Sequence, residues 1–579
     1  MVRTLCPRLG RSGLLAACLL AACGHGSGEG GGEQETGGSL NAQASGGNST
    51  TGGTASETTA TGGAAEAGQS SGGASSGSDA GQGSGSGPSP DFDAAGGSEP
   101  GASGGTNSGG AQPGVGGADG SGGNGQSMGD LLLSGLQIEL NPLMPLGCYV
   151  RWTTDQPAAS EVRFGVGGYA FHVVDEEMVT EHEVYVVGMR ADTQYDIQAV
   201  SQNEAAAGSA TGTITTGSLP SALPARAEVI TAATDQMQPG YTLVNFWDSG
   251  QAPTLIVALD AEGYPVWFFQ SGTANDQYGA TSAELSHDGT IIIGNSSAEP
   301  AREVDLEGNI LWEGPAPGGE HKISHDTTKT KAGTYFVLRE SDTTARIEEL
   351  DAANNVLWSW DLYEDSSITN NGVADWCHLN AVLVDASEEH AFLNCRFQGL
   401  FKIEKATKNL VWQLGAAADD DQTGDVTYLP DNSVRFNDAH DPEVHEDGTV
   451  LFYDNQGWAN RQVGDQNGNF HSQVVEYQVD DASKEATLVF QFPGSFEVDA
   501  WYTDTWSTPV WGDADRLQNR NILVTAGVAT TQMGGMNQGG PRSRIFEVTN
   551  EGEVVWAIEW PEGMASYRAD RIELPVQPL

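Results

Sequence analysis

From about Ala225 onward the chain repeats a turn, an apolar pair and an aromatic residue six times, and few folds accommodate that pattern. The full copies are Asp260-Ala261-Glu262-Gly263-Tyr264-Pro265-Val266-Trp267, Asp305-Leu306-Glu307-Gly308-Asn309-Ile310-Leu311-Trp312 and Asp351-Ala352-Ala353-Asn354-Asn355-Val356-Leu357-Trp358. Shorter copies end at Trp412, Phe490 and Trp556. The aromatics are spaced by 45, 46, 54, 78 and 66 residues. A unit of roughly 45 residues is the length of one four-stranded propeller blade. The pattern therefore predicts a six-bladed β-propeller over 225–579, with the long late spacings taken up by loop insertions such as 416–432. A second repeat lies between the first: Asp288-Gly289-Thr290, Ala332-Gly333-Thr334 and Asp447-Gly448-Thr449 each precede an apolar run, as a tight turn opening a buried strand does. The recurring tryptophans read as blade-packing core.

Residues 131–220 change pattern. Short alternating segments such as Cys148-Tyr149-Val150-Arg151-Trp152 and Glu183-Val184-Tyr185-Val186-Val187 are separated by turn residues, which predicts a small β-sandwich. The Thr193-Gln194-Tyr195 run in this domain resembles fibronectin type III. The expected fold class is thus all-β, a propeller preceded by a sandwich. Upstream, 37 of the 77 glycines fall within 24–130, a stretch without Lys, Arg, Trp or Tyr. Such a segment buries too little apolar surface to offset its ordering entropy, so a disordered, flexible tether reaching some 50–60 Å is expected there. The net charge of −52 does not come from this tether, because residues 131–579 carry 67 acids against 23 bases. Nucleic acid is excluded as a partner, since phosphate binding needs a basic stripe.

The first 22 residues read as an export signal. Arg3, Arg8 and Arg11 precede the apolar run Leu14 to Ala22, which is too short to span a bilayer. Leu20-Ala21-Ala22-Cys23 resembles a bacterial lipobox, which implies lipidation of Cys23, a tether over 23–130 and a cell-envelope lipoprotein at the outer membrane. Membrane contact would run through the lipid anchor only. Leu15-Ala16-Ala17-Cys18 is a second candidate. Beyond the signal, Cys148, Cys377 and Cys395 remain, and the sequence leaves both a Cys377–Cys395 bridge and buried free thiols open.

A propeller gathers equivalent positions of different blades around one channel. The chemistry-bearing segments fall just before or on the expected inner strands: His321 to Asp326, Asp375-Trp376-Cys377-His378-Leu379-Asn380, Arg396 after the next strand, and Asn437-Asp438-Ala439-His440-Asp441. His325 and His440 both precede an Asp at matched offsets. A lone His is usually structural, but a blade-periodic set is a site signal.

These segments, with Thr407 to Gly415, Asp454-Asn455 and Tyr567-Arg568-Ala569, resemble the bacterial arylsulfate sulfotransferase family. The resemblance implies sulfuryl transfer from a phenolic sulfate ester to a phenol acceptor without 3′-phosphoadenylyl sulfate and without a cofactor. It puts the nucleophile at His440, with His325, His378, Asn380 and Arg396 in support. A neutral imidazole can attack sulfur and hold the group as sulfohistidine. Arg396 and Asn380 would donate to sulfate oxygens, and His325 or His378 would serve the phenolic oxygens as acid and base. Asp441 or Asp326 would fix an imidazole tautomer. The sequence departs from the family in the cysteines flanking His378 and Arg396. Two other readings stand beside this one: a non-enzymatic surface propeller binding glycan or protein, and a metal- or quinone-dependent propeller enzyme. A homodimer is left open.

Overall fold

The computed structural model describes residues 129–248, 253–272, 279–295, 299–316, 322–370, 372–373, 375–415, 425–430, 435–455, 472–493, 508, 510–529 and 542–579. The signal segment, Cys23 and the Gly-rich stretch to 128 lie outside the described residues, as do 416–424 and 431–434 of the acidic insertion.

The described secondary structure is all β. Among the described residues the repeats become six antiparallel four-stranded runs. The second, third and fourth are separate sheets: Ala280–Leu285 to Ile310–Glu313, Lys322–Lys329 to Val356–Asp361, and Leu379–Val384 to Leu410–Gly415. The fifth, Ala439–Val444 to Glu485–Phe492, gains Thr427–Leu429 on its outer edge. The sixth, Asp513–Arg516 to Val554–Glu559, takes Glu228–Ala232 from the start of the domain on its outer edge. The first takes Tyr241–Asp248, Leu255–Leu259 and Pro265–Gln270 from that start, and Ala569–Ile572 from the far end of the chain as its innermost strand. The first and sixth runs therefore share strands from both ends, and the ring closes through backbone pairing rather than through a covalent link. This is a β-propeller.

The aromatic repeat does more than fill space. The Trp267 indole donates to Leu306 O in the next run at 2.8 Å, Trp312 to Asn354 Oδ1 at 3.1 Å, Trp358 to Lys405 O at 2.9 Å and Trp412 to Asp481 Oδ1 at 2.7 Å. Trp556 reaches Ala261 O at 2.9 Å and so ties the sixth run to the first. Trp267, Trp312, Trp412 and Trp556 bury their rings and still satisfy their N–H, the two requirements of a buried tryptophan, while Trp358 is half-buried. Phe490 has no such donor. Between the fifth and sixth runs Arg516 replaces it, with its guanidinium 5.4 Å from the Phe490 ring and an ion pair to Glu476.

The small N-terminal domain is one seven-stranded sheet. Its strand Cys148–Gly165 is long enough to serve both halves, pairing with Leu133–Leu140 along its first part and Gln194–Gln202 along its second. The change of partner falls at a break in register between Thr153 and Ala158, where Pro157 offers no N–H to a ladder. The core lies around Trp152, Phe164, Tyr195 and Ile197. The chain's final strand, Gln577–Pro578, leaves the propeller and pairs with Phe171 and His172 of this sheet. Asn141 Nδ2 and Tyr149 Oη donate to Glu307, and Arg190 pairs with Asp260 and Glu262, so the small domain holds the turns of the first two repeats.

Candidate active site

The openings of the inner strands in runs three, four and five converge on one place. The His325 and His378 rings lie 5.5 Å apart, and Tyr567, just before the innermost strand of the first run, lies 6.0 Å from His325 and 5.8 Å from His440. Arg396 is near enough to both His325 and His440 to disfavour their protonation. His325, His378, His440 and Arg396 are thus brought together, and the scattered arrangement that would favour a mere binding surface is not seen.

The backbone turns unusually to achieve this. His325, Asp375, His378, Asp438 and Asp441 all have left-handed φ, between +36° and +56°. Register shifts interrupt the strands between Ser324 and Thr327 and between His440 and Glu443. Such conformations cost energy in non-glycine residues and persist where surrounding structure enforces them. Two constraints are visible beside His378. Cys377 and Cys395 form a disulfide, and Arg396 N donates to His378 O at 3.0 Å. The bridge settles the cysteine alternatives: it fastens the residue before His378 to the residue before Arg396, while Cys148 is a buried free thiol.

His440 is buried, and its Nδ1 faces two acceptors, Asn455 Oδ1 at 2.6 Å and the Asp438 carbonyl at 3.1 Å. The amide orientation of Asn455 is fixed, because its Nδ2 donates to Thr508 O and Trp511 O, each at 2.8 Å. Nδ1 must therefore carry the proton, leaving the lone pair on Nε2. Burial, and then Arg396, hold the His440 imidazole well below its ordinary pKa. The same logic applies to His325, pushed down to about 3 by burial first and then by His378. His378 differs: its Nδ1 meets both Asp375 oxygens at 3.0 and 3.1 Å, and this hydrogen bond holds the Asp375 carboxyl below the usual range.

Three assignments change in the folded protein. Asn380 does not simply face the site. Its Nδ2 donates to Ala439 O at 3.0 Å and its Oδ1 accepts from Asn394, so it fixes the backbone beside His440. Asp326 and Asp441 do not hold imidazole tautomers. Both pair with the buried Arg568, each at 3.0 Å, and that guanidinium also donates to Asn380 O at 2.7 Å. Arg568 thus ties runs one, three, four and five together directly behind the imidazoles. The tautomer-fixing residues are Asn455 and Asp375, to which the sequence reading gave no role. A periodic signal was present for Asn455, which follows the second strand of the fifth run as Arg396 follows the second strand of the fourth.

Aromatic surface completes the mouth. Tyr567 lies 5.4 Å from Trp511, and Phe397 is 5.5 Å from His378. The Tyr567 hydroxyl is buried without a hydrogen-bond partner among the described residues. Neutral imidazole, guanidinium and aromatic walls together suit an anionic aryl ester.

The arylsulfotransferase (ASST) family model matches residues 226–568, more than half of the chain, and the protein belongs to that family. No curated protein matches it. Similar solved structures include a protein of unknown function from Bacteroides caccae, 14% identical, covering 57% of this chain and 100% of that one with a TM-score of 0.36. A Myceliophteria thermophila β-propeller domain is 11% identical, covering 58% and 90% with a TM-score of 0.33. A quinoprotein alcohol dehydrogenase-like protein from Bacteroides thetaiotaomicron is 11% identical, covering 75% and 95% with a TM-score of 0.31.

Proposed function

We propose that this protein is an aryl sulfotransferase of the 3′-phosphoadenylyl-sulfate-independent kind, carrying the sulfuryl group on His440 between a phenolic sulfate ester and a phenol. The six four-stranded runs are taken as six blades. The observation that carries the reading is the fixed tautomer of His440, whose Nδ1 proton is held by Asn455 Oδ1 and Asp438 O. The Nε2 lone pair attacks sulfur, the S–O bond to the aryl group breaks, and the phenolate departs with the electron pair. His378, hydrogen-bonded to the Asp375 carboxylate, delivers a proton to it. An acceptor phenol then gives its proton to the same base and attacks sulfur, and the S–N bond breaks to restore the lone pair. Arg396 faces the sulfate oxygens, where charge accumulates, and donates in a planar fork. Tyr567, Trp511 and Phe397 hold the aryl rings.

The test is transfer from 4-nitrophenyl sulfate to phenol, together with acid-quench isolation of the labelled enzyme. Label recovered on His440 is the expected result. Turnover without any covalent sulfuryl-enzyme contradicts the two-step route. On the sequence pattern alone, the same proposal places the protein in the cell envelope as a Cys23 lipoprotein; radiolabelled palmitate that persists in Cys23→Ala would contradict it.

A further inference from the structure

Two tryptophans that do not belong to the outer repeat stand beside the reacting cluster. Trp511 lies two residues before the inner strand Asp513–Arg516 of the sixth run, and Trp247 lies near the end of Tyr241–Asp248 in the first. Their rings meet edge to face, with centres 5.8 Å apart at 90°. Trp511 in turn lies 5.4 Å from Tyr567, whose ring is within 6.0 Å of both His325 and His440. A row of aromatic rings thus leads from the two imidazoles onto runs one and six.

This row is not blade core. Both tryptophans are only half-buried, and among the described residues neither packs into a hydrophobic cluster of the sheets, whereas Trp267 and Trp556 do. An indole left half in solvent forgoes part of the large apolar burial its rings offer. The chain nevertheless holds Trp511 firmly in that position. Its φ is +64°, in the left-handed region that a bulky residue enters only where its surroundings enforce it. Its carbonyl accepts from Asn455 Nδ2 at 2.8 Å, and the Oδ1 of the same amide faces His440 Nδ1. The residue after it, Gly512, passes so close to Tyr453 that a Cβ there would collide with the ring, and a Cβ at Gly527 would stand 2.5 Å from that of Trp511. Trp247 is tied to the same place, because Asn245, two residues earlier on the same face of its strand, accepts from Tyr567 N at 2.8 Å. One amide therefore sets both the nucleophile and the exposed indole, and strain spent on an exposed aromatic marks a functional position.

Resting on the sulfuryl-transfer reading, we propose that Trp511 and Trp247 form a second aryl subsite, by which the protein selects phenols that carry a further aromatic ring. The reacting ring lies beside Tyr567, and the second ring packs against the exposed indole faces. Such packing needs a π-face and no polar contact, so it discriminates by ring number.

With the full chain as enzyme and 4-nitrophenyl sulfate as donor, kcat/KM for 4-hydroxybiphenyl is expected to exceed that for phenol about tenfold or more. The value for 4-cyclohexylphenol, similar in length but without the second π-face, is expected to fall between them. Trp247→Ala is expected to lower the biphenyl-to-phenol ratio about fivefold to tenfold, through KM more than kcat. If that variant does not fold, Trp247→Leu makes the same comparison with most of the apolar volume kept. Calorimetric titration with 4-hydroxybiphenyl in the absence of donor reads the subsite without turnover, and the same weakening is expected in the variant. Transfer to phenol with no preference for 4-hydroxybiphenyl, 4-cyclohexylphenol serving as well as 4-hydroxybiphenyl, or a preference unchanged in a folded Trp247 variant would each overturn the subsite and leave sulfuryl transfer standing. Absence of transfer to any acceptor would instead overturn the sulfuryl-transfer reading; the titration then decides the subsite, which fails if the substitution does not weaken binding.

Discussion

The outer and inner strands of the propeller put repetition to opposite uses. On the outside, nearly every run repeats the same device, a buried indole donating to the turn of the next run. On the inside, the inner strands of three successive runs carry or directly follow His325, His378 and His440, whereas the inner strands Ala280–Leu285, Asp513–Arg516 and Ala569–Ile572 carry no histidine. Outer regularity builds a ring, and inner irregularity makes one side of that ring reactive. The left-handed residues outside routine turns gather at the openings of the inner strands, with His325, Asp375, His378, Asp438 and Asp441 at the three histidine-bearing ones and Trp511 at the sixth run.

That contrast can be broken from the inside first. His440→Ala is expected to lower sulfuryl transfer on the order of 10⁴-fold or more, far beyond what the modest loss of stability from unpairing the buried Asn455 Oδ1 accounts for. Comparable turnover in the variant would move the nucleophile elsewhere. Arg396→Ala follows, at about 10²–10³-fold in kcat, the cost of one charge-stabilising donor; a change confined to KM would show that Arg396 only binds. Asn455→Ala leaves the nucleophile in place but frees its tautomer, and a loss of about 10²-fold is expected.

The pH profile separates positioning from structure. Lowered pKa values mean that His440 and His325 stay neutral as pH falls through 6.5, so the acid limb of single-turnover transfer is expected well below that value. Asn455→Asp puts a carboxylate beside Nδ1, favours imidazolium and should move that limb upward by about one pH unit or more. A merely structural role for Asn455 would leave the limb where it was. The smallest effect lies outside. Trp556→Phe keeps the ring but deletes the N–H that reaches Ala261, and is expected to cost about 1 kcal/mol of stability without altering kcat. A changed kcat would show that the two layers are coupled.

These layers were unequally legible in the sequence. The propeller could be read because Trp267, Trp312, Trp358, Trp412 and Trp556 each solve the same packing problem and so recur. The fifth copy ends in Phe490 instead of Trp, and its missing donor is replaced by Arg516, which lies outside the repeat. His325, His378, His440 and Arg396 were found because blade-equivalent positions converge. What stayed hidden was pairing. Nothing in Asp441 or Asp326 reveals that Arg568, far along the chain, claims both carboxylates, and nothing in Asn380 reveals that its amide is turned to the Ala439 carbonyl. Long-range hydrogen bonds between runs have no local signature, whereas turns and apolar periods do.

The strand Ala569–Ile572 has a consequence in time. Its pairing with Tyr241–Asp248 joins parts of the chain so distant that Tyr567 N and its acceptor Asn245 are 322 residues apart. Contacts of such separation form slowly, since loop-closure entropy must be overcome before they stabilise anything. Tyr567 and Arg568 reach the hub with this strand, so a chain still emerging from its point of synthesis carries its histidines without the residues that organise them. The cluster around His325 and His440 is therefore complete only once the last residues of the chain have paired.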